Sequence, residues 1–531
     1  MATTYGLHRA MQIKPDSIAT YFENRTRTWA ELTDRVARFA GALRGLGVQA
    51  GDRVAVLMLN QDRYLELFLS CAWAGAVIVP VNTRWSQMEV ADCLQDCTPK
   101  LLVVDEAFLQ MGQRLAADMA SFALIYADDA PRPASAIEIA SYDELIAQTE
   151  PVEDVFADEG ALAAIFYTGG TTGRAKGVML SHRNLIANAR NMLAETGTAS
   201  DETNYLHVAP MFHTANAGVM YQQLLTAGSH SFVRQFSPAG VAQAIGDFKV
   251  TDSTLVPTMI QMLVDTPDVG SFDFSSLRRI FYGSCIITES LLDRAMALLE
   301  GVEFRQAYGM TELSPCATVL TWKDHIDEGR SMGRHRSAGR PAVLVHVRIV
   351  DDEGNELPRG QIGEIVARGE TVMMGYWNRP EETEQAIRNG WMHSGDLGYM
   401  DEHGYVYVVD RKKDMIISGG ENVYPAEVEN CISKHPAVAM CAVIGIPDER
   451  WGEAVHAVIV PRPGETVDEA QIIAFCKDRI AGYKCPKSVE IRSEGLPLSG
   501  AGKVLKAELR KQHGKDRQEA LTAQGEAHVA G

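Results

Sequence analysis

Cysteine is scarce in this chain and poorly placed for cross-linking. The nine cysteines, at positions 71, 93, 97, 285, 316, 431, 441, 476 and 485, form no CxxC pair and no Cys/His cluster with zinc spacing. That pattern excludes a disulfide framework and a zinc-ribbon module, and reads as reduced cytosolic thiols. Positive charge is short as well. Lys plus Arg number 50 against 69 Asp plus Glu, and a net charge of −19 repels phosphate backbones, which excludes broad nucleic-acid binding but leaves room for a local basic site. The N-terminal MATTYGLHRAMQIKPDS lacks the apolar core of a signal peptide, and the apolar run Leu67 to Val81 is too short to span a bilayer and carries Gly75 and Pro80. The expected location is the cytoplasm. No internal repeat is visible.

What the chain has is length and apolar content. With 531 residues, 46% of them hydrophobic, it can bury a large core and is expected to hold two to four domains, the size of an enzyme. From Trp29 to Gly47, Leu32, Val36, Phe39 and Leu43 recur at helical spacing before Gly45 and Gly47 close the pattern. The runs Val54 to Leu59, Ala76 to Val81 and Leu101 to Asp105 read as strands, with a helix from Arg63 to Trp73 between the first two. Alternation of this kind, continuing to about residue 340, predicts α/β layers on a parallel sheet. From about 343 to 411 the runs shorten and alternate, as in Val345 to Val350, Gly363 to Arg368 and Tyr405 to Val409, which predicts an antiparallel β unit. A smaller α+β domain follows. The boundary is placed at 411/412, giving domains of 1–411 and 412–531, with a frayed polar tail from about 512.

The segment Tyr167 to Gly177, YTGGTTGRAKG, follows the strand-like Leu162 to Thr168 and leads toward a helical stretch, Asn184 to Met192. Its four glycines and three threonines can present N–H groups and hydroxyls to phosphate oxygens, with Lys176 as a point charge. It is not a Walker loop, because no GK[ST] occurs. A Gly-rich segment alone is most often only a turn, and the threonines and the lysine favour the phosphate-binding reading.

Five further segments occur in order: Tyr308 to Glu312 (YGMTE), Ser394 to Asp396 (SGD), Asp410 to Asp414 (DRKKD), Gly419 to Pro425 (GGENVYP) and Ser499 to Lys503 (SGAGK). Together with the Gly/Thr loop they resemble the ANL superfamily of adenylate-forming enzymes, and within it the acyl-CoA synthetases, from about residue 8 to residue 510. The resemblance implies a large N-terminal α/β domain and a small mobile C-terminal domain, and ATP, Mg²⁺ and coenzyme A as cofactors. It assigns Thr168, Gly169, Gly170, Thr171, Thr172, Gly173 and Lys176 to the β- and γ-phosphates. Gly170 and Ala175 depart from the family's usual serine and proline. Gly283, Ser284 and Cys285 would pass the adenine, and Tyr308 would lie against its face, with Gly309 and Met310 beside it. Thr311 would meet the α-phosphate and Glu312 would hold Mg²⁺, tasks that suit a hydroxyl and a hard oxygen ligand. Asp396 and Arg411 would bind the ribose hydroxyls, and Lys413 would be the hinge. Lys503, an ordinary solvated charge on any other reading, would bridge the attacking carboxylate and the α-phosphate.

For coenzyme A the resemblance points to Gly419, Gly420 and Glu421 and to Trp451, which could instead be a core tryptophan. Lys484 and Lys487 are close in sequence. The acid pocket would be built from His213, Thr214, Gly218, Met310 and Pro315, with His213 as wall or gate and not as a base. Its residues are small or apolar, with no cation for a second carboxylate. The implied activity is an ATP-dependent acid–CoA ligase for an apolar monocarboxylate, a medium- or long-chain fatty acid ahead of a cinnamate- or benzoate-type acid. A luciferase-like or carrier-loading enzyme is the alternative in reaction type. The partners are small molecules, and a homodimer is the default assembly.

Overall fold

The computed structural model describes residues 1–119, 121–131, 138–168, 175–197, 199–448, 450–500 and 502–513. Two compact units result. One comprises Met1–Ser284, Leu298–Val347 and Val366–Ser394; the other comprises Cys285–Ala297, Arg348–Ile365 and the chain from Gly395 on. The units are thus not contiguous in sequence. The antiparallel strands Val345–Val350, Gly363–Gly369 and Trp391–Met400 contribute residues to each.

In the first unit the predicted helix runs Trp29–Gly45. Thr28 starts it by accepting from the Glu31 amide while Glu31 reaches back, a capping box that satisfies otherwise orphaned donors. Leu32, Val36, Phe39 and Leu43 are all fully buried along its apolar face. The strands Arg53–Leu57, Val77–Pro80, Leu101–Val104, Ala123–Tyr126 and Ile139–Ser141 pair in parallel, joined on the Val77–Pro80 side by Leu162–Thr168. Their Val and Leu side chains are buried on both faces, as expected of a covered parallel sheet.

A second sheet keeps Tyr205, Thr254, Ile280 and Phe304 on parallel strands. Its two ends are antiparallel, at Arg25–Thr28 and at Cys316–Leu320 with Arg340–Pro341. The sheets are therefore mixed: the first turns antiparallel only beyond Leu162–Thr168 and keeps its Ile139–Ser141 edge parallel, whereas the second is antiparallel at both ends.

The expected helix Asn184 to Met192 is present, and one further element precedes it. The strand Lys176–Ser181 intervenes and pairs antiparallel with Leu162–Thr168, so that Thr168 stands opposite Lys176. Its buried residues Val178 and Leu180 alternate at period two, a pattern too short to stand out along the chain. The helix His182–Thr196 begins only after Ser181 caps it.

The second unit carries a sheet ordered Glu421–Val423, Ile416–Ser418, Gly452–Pro461 and Val438–Asp448, with Ser488–Ile491 parallel to Gly452–Pro461. Val428, Ile432, Val443, Val455 and Ile472 form its core against the helices Pro425–Ile432 and Glu469–Lys477. Residues 506–513 are helical, and the tail expected from about 512 falls almost wholly outside the described residues. All nine cysteines are free thiols. Among the described residues, no helix is long and apolar enough to cross a membrane.

Buried histidines give the first unit a pH dependence. His207 Nδ1 lies 2.5 Å from Asn216 Oδ1, and its Nε2 lies 3.0 Å from His230 Nδ1, in a fully buried chain where at least one ring must be neutral, because the contact between the rings needs a lone pair on one of its two nitrogens. Burial lowers His182, His207 and His325 from 6.5 to about 4. The folded values lie below the unfolded one, so this stability is complete above pH 6.5 and is lost as pH falls toward 4. Asp105, raised to about 6 by burial, and Glu195, also raised by burial, act in the opposite sense but are fewer than the histidines. Thermal unfolding is expected to fall steeply between pH 6.5 and 4.5, by up to about 1.4 kcal/mol per pH unit for each histidine. A His207→Gln protein should start lower at pH 7 and show a shallower slope; an unchanged slope would count against this account.

Candidate active site

The best-defined cluster lies in the first unit, where Tyr308 to Glu312 leaves the strand Glu303–Gly309. Gly309 is required there, because a Cβ would collide with the Pro315 carbonyl. Thr311 to Leu313 then forms a short 3-10 turn. The Thr311 hydroxyl sits 3.1 Å from that of Thr214, at the start of the helix Thr214–Thr226. Glu312 is buried at 7% exposure, so its charge needs a partner. Tyr376 supplies one, its phenol donating to Glu312 Oε1 at 2.8 Å.

Tyr376 also faces the other motif. Lys176 Nζ lies 5.1 Å from its ring centroid, a cation–π arrangement. The two-residue strand Gly375–Tyr376 pairs with Lys176–Ser181, and the Trp377 amide donates to the Gly177 carbonyl at 2.7 Å. Upstream, the Met373 amide donates to the Glu312 carbonyl at 2.9 Å, and Ser314 Oγ to the Thr371 carbonyl at 2.7 Å. The segment 371–377 therefore ties YGMTE to the strand Lys176–Ser181. Burial and the neighbouring Glu312 carboxylate push the Tyr376 phenol well above its ordinary pKa, so it remains a proton donor. Sequence reasoning missed Tyr376. Its signal was weak, a lone aromatic after Gly375 with no partner visible along the chain.

Of the predicted phosphate residues, Thr168 and Lys176 lie across from each other on paired strands, while Gly169, Gly170, Thr171, Thr172 and Gly173 fall outside the described residues. Gly283 ends the strand Arg279–Gly283, and a Cβ on it would strike the Ala307 carbonyl. His213 caps the helix Thr214–Thr226, its Nδ1 accepting from the Ala215 amide at 3.2 Å. A capping ring is held in place, which suits a wall better than a base. Gly218 packs directly on Pro315, where a Cβ would come within 2.7 Å of Cδ.

In the second unit Asp396 and Arg411 stand opposite each other on paired strands, with Arg411 Nε 2.7 Å from Asp396 Oδ1. Asp396 is a buried residue of the strand Trp391–Met400. The SGAGK segment closes by a Leu498–Val504 bridge, with the Ser499 amide donating to the Lys503 carbonyl at 2.7 Å. The Cys285 thiol is pushed up to about 11, chiefly by burial, while the Lys503 charge pulls it down, which places those two predicted residues within electrostatic reach.

Gly419 and Trp451 also meet. The Gly419 amide donates to the Trp451 carbonyl at 2.8 Å, the ring leaves no room for a Cβ on Gly419, and Lys487 Nζ lies 5.6 Å from the ring centroid. Trp451 is 36% exposed and so is not a core tryptophan. Lys484 is paired with Glu427 at 2.7 Å. Lys506, at the start of the helical run 506–513, pairs with Glu429 at 2.7 Å.

The match to known proteins decides the family. A model of the AMP-binding enzyme matches residues 7–377, and one of the AMP-binding enzyme C-terminal domain matches residues 427–503. The chain belongs to the AMP-binding enzyme family. A feruloyl-CoA synthase from an Amycolatopsis species is 42% identical over 95% of this chain and 98% of its own. A fatty acid–[acyl-carrier-protein] ligase from Streptomyces coeruleorubidus is 36% identical over 94% of each chain. Among solved structures, an anthranilate–CoA ligase in complex with anthranoyl-AMP superposes with a TM-score of 0.89 at 26% identity, covering 96% of this chain and 97% of that one.

Replacing Tyr376 with Phe removes one hydroxyl and leaves Glu312 Oε1 buried without its donor, at a cost of about 1–3 kcal/mol. Pyrophosphate release from ATP and acid should fall by about one to two orders of magnitude. Wild-type release would show that Tyr376 does not orient Glu312.

Proposed function

We propose that this ATP-dependent acid–CoA ligase activates an aryl monocarboxylic acid of the hydroxycinnamate type, and that the fatty-acid preference favoured by sequence alone is the second reading. The 42% identity to a protein named feruloyl-CoA synthase, over nearly the full length of both chains, carries this choice. The fatty-acid reading rests on the 36% relative named for fatty acids and for a carrier protein. The pocket residues His213, Thr214, Gly218, Met310 and Pro315 include no Lys or Arg, which supports an acid with one carboxylate and a neutral remainder.

In the first half-reaction a carboxylate oxygen attacks the α-phosphorus of ATP. The bond from that phosphorus to the bridging oxygen breaks, and pyrophosphate leaves. Positioning and charge neutralisation supply most of the catalysis. Thr311 is assigned to the α-phosphate, and Lys176 with the Gly/Thr loop to the departing phosphates. Asp396 and Arg411, already in register, are assigned to the ribose. Glu312, with Oε1 held by Tyr376, fits a hard divalent cation through its carboxylate. When bound, Mg²⁺ neutralises phosphate charge. In the second half-reaction the coenzyme A thiol loses its proton, its sulfur bonds to the acyl carbon, and the bond to AMP breaks. Gly419, Gly420, Glu421 and Trp451 are assigned to coenzyme A. The domains are taken as 1–411 and 412–531, turning about Lys413 between the halves. Nine free cysteines support a reducing compartment, the cytoplasm.

A panel scored by pyrophosphate release should give ferulate or cinnamate a kcat/KM at least tenfold above octanoate and palmitate, with thioester formed on coenzyme A. Preference for a fatty acid, or transfer only to a carrier protein, would overturn the reading.

Lys503→Ala should slow adenylate formation about 10²–10³-fold, because it removes a charge facing the transferring oxygens. Supplied with synthetic acyl-adenylate, the same protein should still form thioester at near the wild-type rate. Lys511→Ala, on an exposed position of the same helical region, is the control. Lys413→Pro should reverse the pattern, sparing adenylation and abolishing thioester formation. Equal loss of both steps in either variant would contradict the alternation.

A further inference from the structure

A histidine pair and a carboxylate lie together in the second unit, and nothing in the proposed reaction uses them. His456 is on the strand Gly452–Pro461, in register with Ser488 on the parallel strand Ser488–Ile491. Side chains alternate along a strand, so Glu490, two residues on, shares the face of Ser488. His513 comes from the helical run 506–513 and brings its ring to 4.3 Å from that of His456, centroid to centroid, edge to face. One ligand atom from each of His456, Glu490 and His513 lies within 4.8 Å of the others.

We propose that His456, Glu490 and His513 form a binding site for a zinc-type divalent transition-metal ion that fastens the last helical turn to the sheet.

The strongest indication is His456. It is 6% exposed, and its Nδ1 lies 2.7 Å from Ser488 Oγ, while its Nε2 is buried with no hydrogen-bond partner. With Nδ1–H donating to the serine, Nε2 carries a lone pair aimed into the cluster, and a second-sphere bond of this kind fixes the tautomer that a metal needs. A buried nitrogen without a partner is otherwise a net cost. The second ligand is oriented too. Arg492 Nε holds Glu490 Oε1 at 3.0 Å, while Oε2 lies 2.8 Å from His513 Nε2. Two imidazoles and one carboxylate are a ligand set for zinc, copper or nickel, and not for calcium or magnesium. A tetrahedral zinc needs its ligand atoms roughly 3.3–3.5 Å apart. Closing the set requires His513 to turn away from its direct pairing with Glu490, so that the ion replaces that contact. Three protein ligands leave the fourth position to water. The neighbouring Arg492 charge weakens the site, so affinity in the micromolar range is expected, below that of a closed structural zinc site.

The consequence follows from the helix. Lys506 pairs with Glu429 at 2.7 Å and Arg510 with Asp414 at 2.8 Å, and His513 falls on the same face at i, i+4 and i+7. A metal at the third point would secure the helix that follows Lys503. Sequence spacing hid the site, because the ligands are far apart along the chain and no cysteine takes part.

The test uses untagged full-length protein stripped with chelator and titrated with zinc chloride by calorimetry. One zinc per chain with a micromolar Kd is expected, together with a rise in Tm that chelator reverses. His513→Ala, at the surface end of the helix, and Glu490→Gln should each weaken binding at least tenfold, while His403→Ala in a distant exposed turn should not. Cobalt should give the visible absorption of a four-coordinate site, lost in His513→Ala. Absence of binding up to millimolar zinc would leave the triad as an ion pair only. Binding unchanged in both variants would place the zinc elsewhere, and either result overturns the proposal.

Discussion

Glu312 places a carboxylate where water scarcely reaches, and the surroundings of the candidate active site are arranged around that charge. A buried carboxylate is tolerated only with a donor or a cation beside it. The donor is Tyr376, whose ring in turn lies under Lys176. Holding that tyrosine in place requires the backbone of 371–377 to bond to the Glu312 and Gly177 carbonyls, and this brings a motif near residue 170 beside one near residue 310. Asn184 reinforces the junction by donating to the carbonyls of Glu370 at 2.7 Å and Val372 at 2.9 Å. Each donor named is fixed by a protein acceptor, so the position of the Glu312 carboxylate is set by the fold itself.

The second unit uses charge differently. Asp396 with Arg411, Lys506 with Glu429, and Arg510 with Asp414 are ion pairs whose members come from separate strands and helices. Asp410 joins them through its second oxygen, which accepts from the Ala426 amide at 2.8 Å. Asp410, Arg411 and Asp414 all lie in the DRKKD segment that surrounds Lys413. The carboxylates of these pairs are largely shielded from water, so each depends on its cation or amide donor being in place.

Much of the fold could be read along the chain. The helix Trp29–Gly45, the strands Arg53–Leu57 and Leu101–Val104 and the antiparallel Val345–Val350 lie within a few residues of where periodicity put them. Period and capping are local properties, and locally consistent segments keep their structure when packed. The strand Lys176–Ser181 was missed because a six-residue strand between a glycine-rich segment and a helix offers little pattern of its own.

The site divides along the same line. The sequence by itself determined the family, through motifs whose residue types suit phosphate, ribose and adenine, and it determined the order in which they occur. Only the tertiary structure decided which side chains meet: Tyr376 between Lys176 and Glu312, Asp396 opposite Arg411, Trp451 against Gly419, Lys506 paired and not solvated, and His456 beside His513. The physical reason is that such contacts depend on strand register and burial across long stretches of chain. Neither quantity is encoded in the spacing of residues within any one segment.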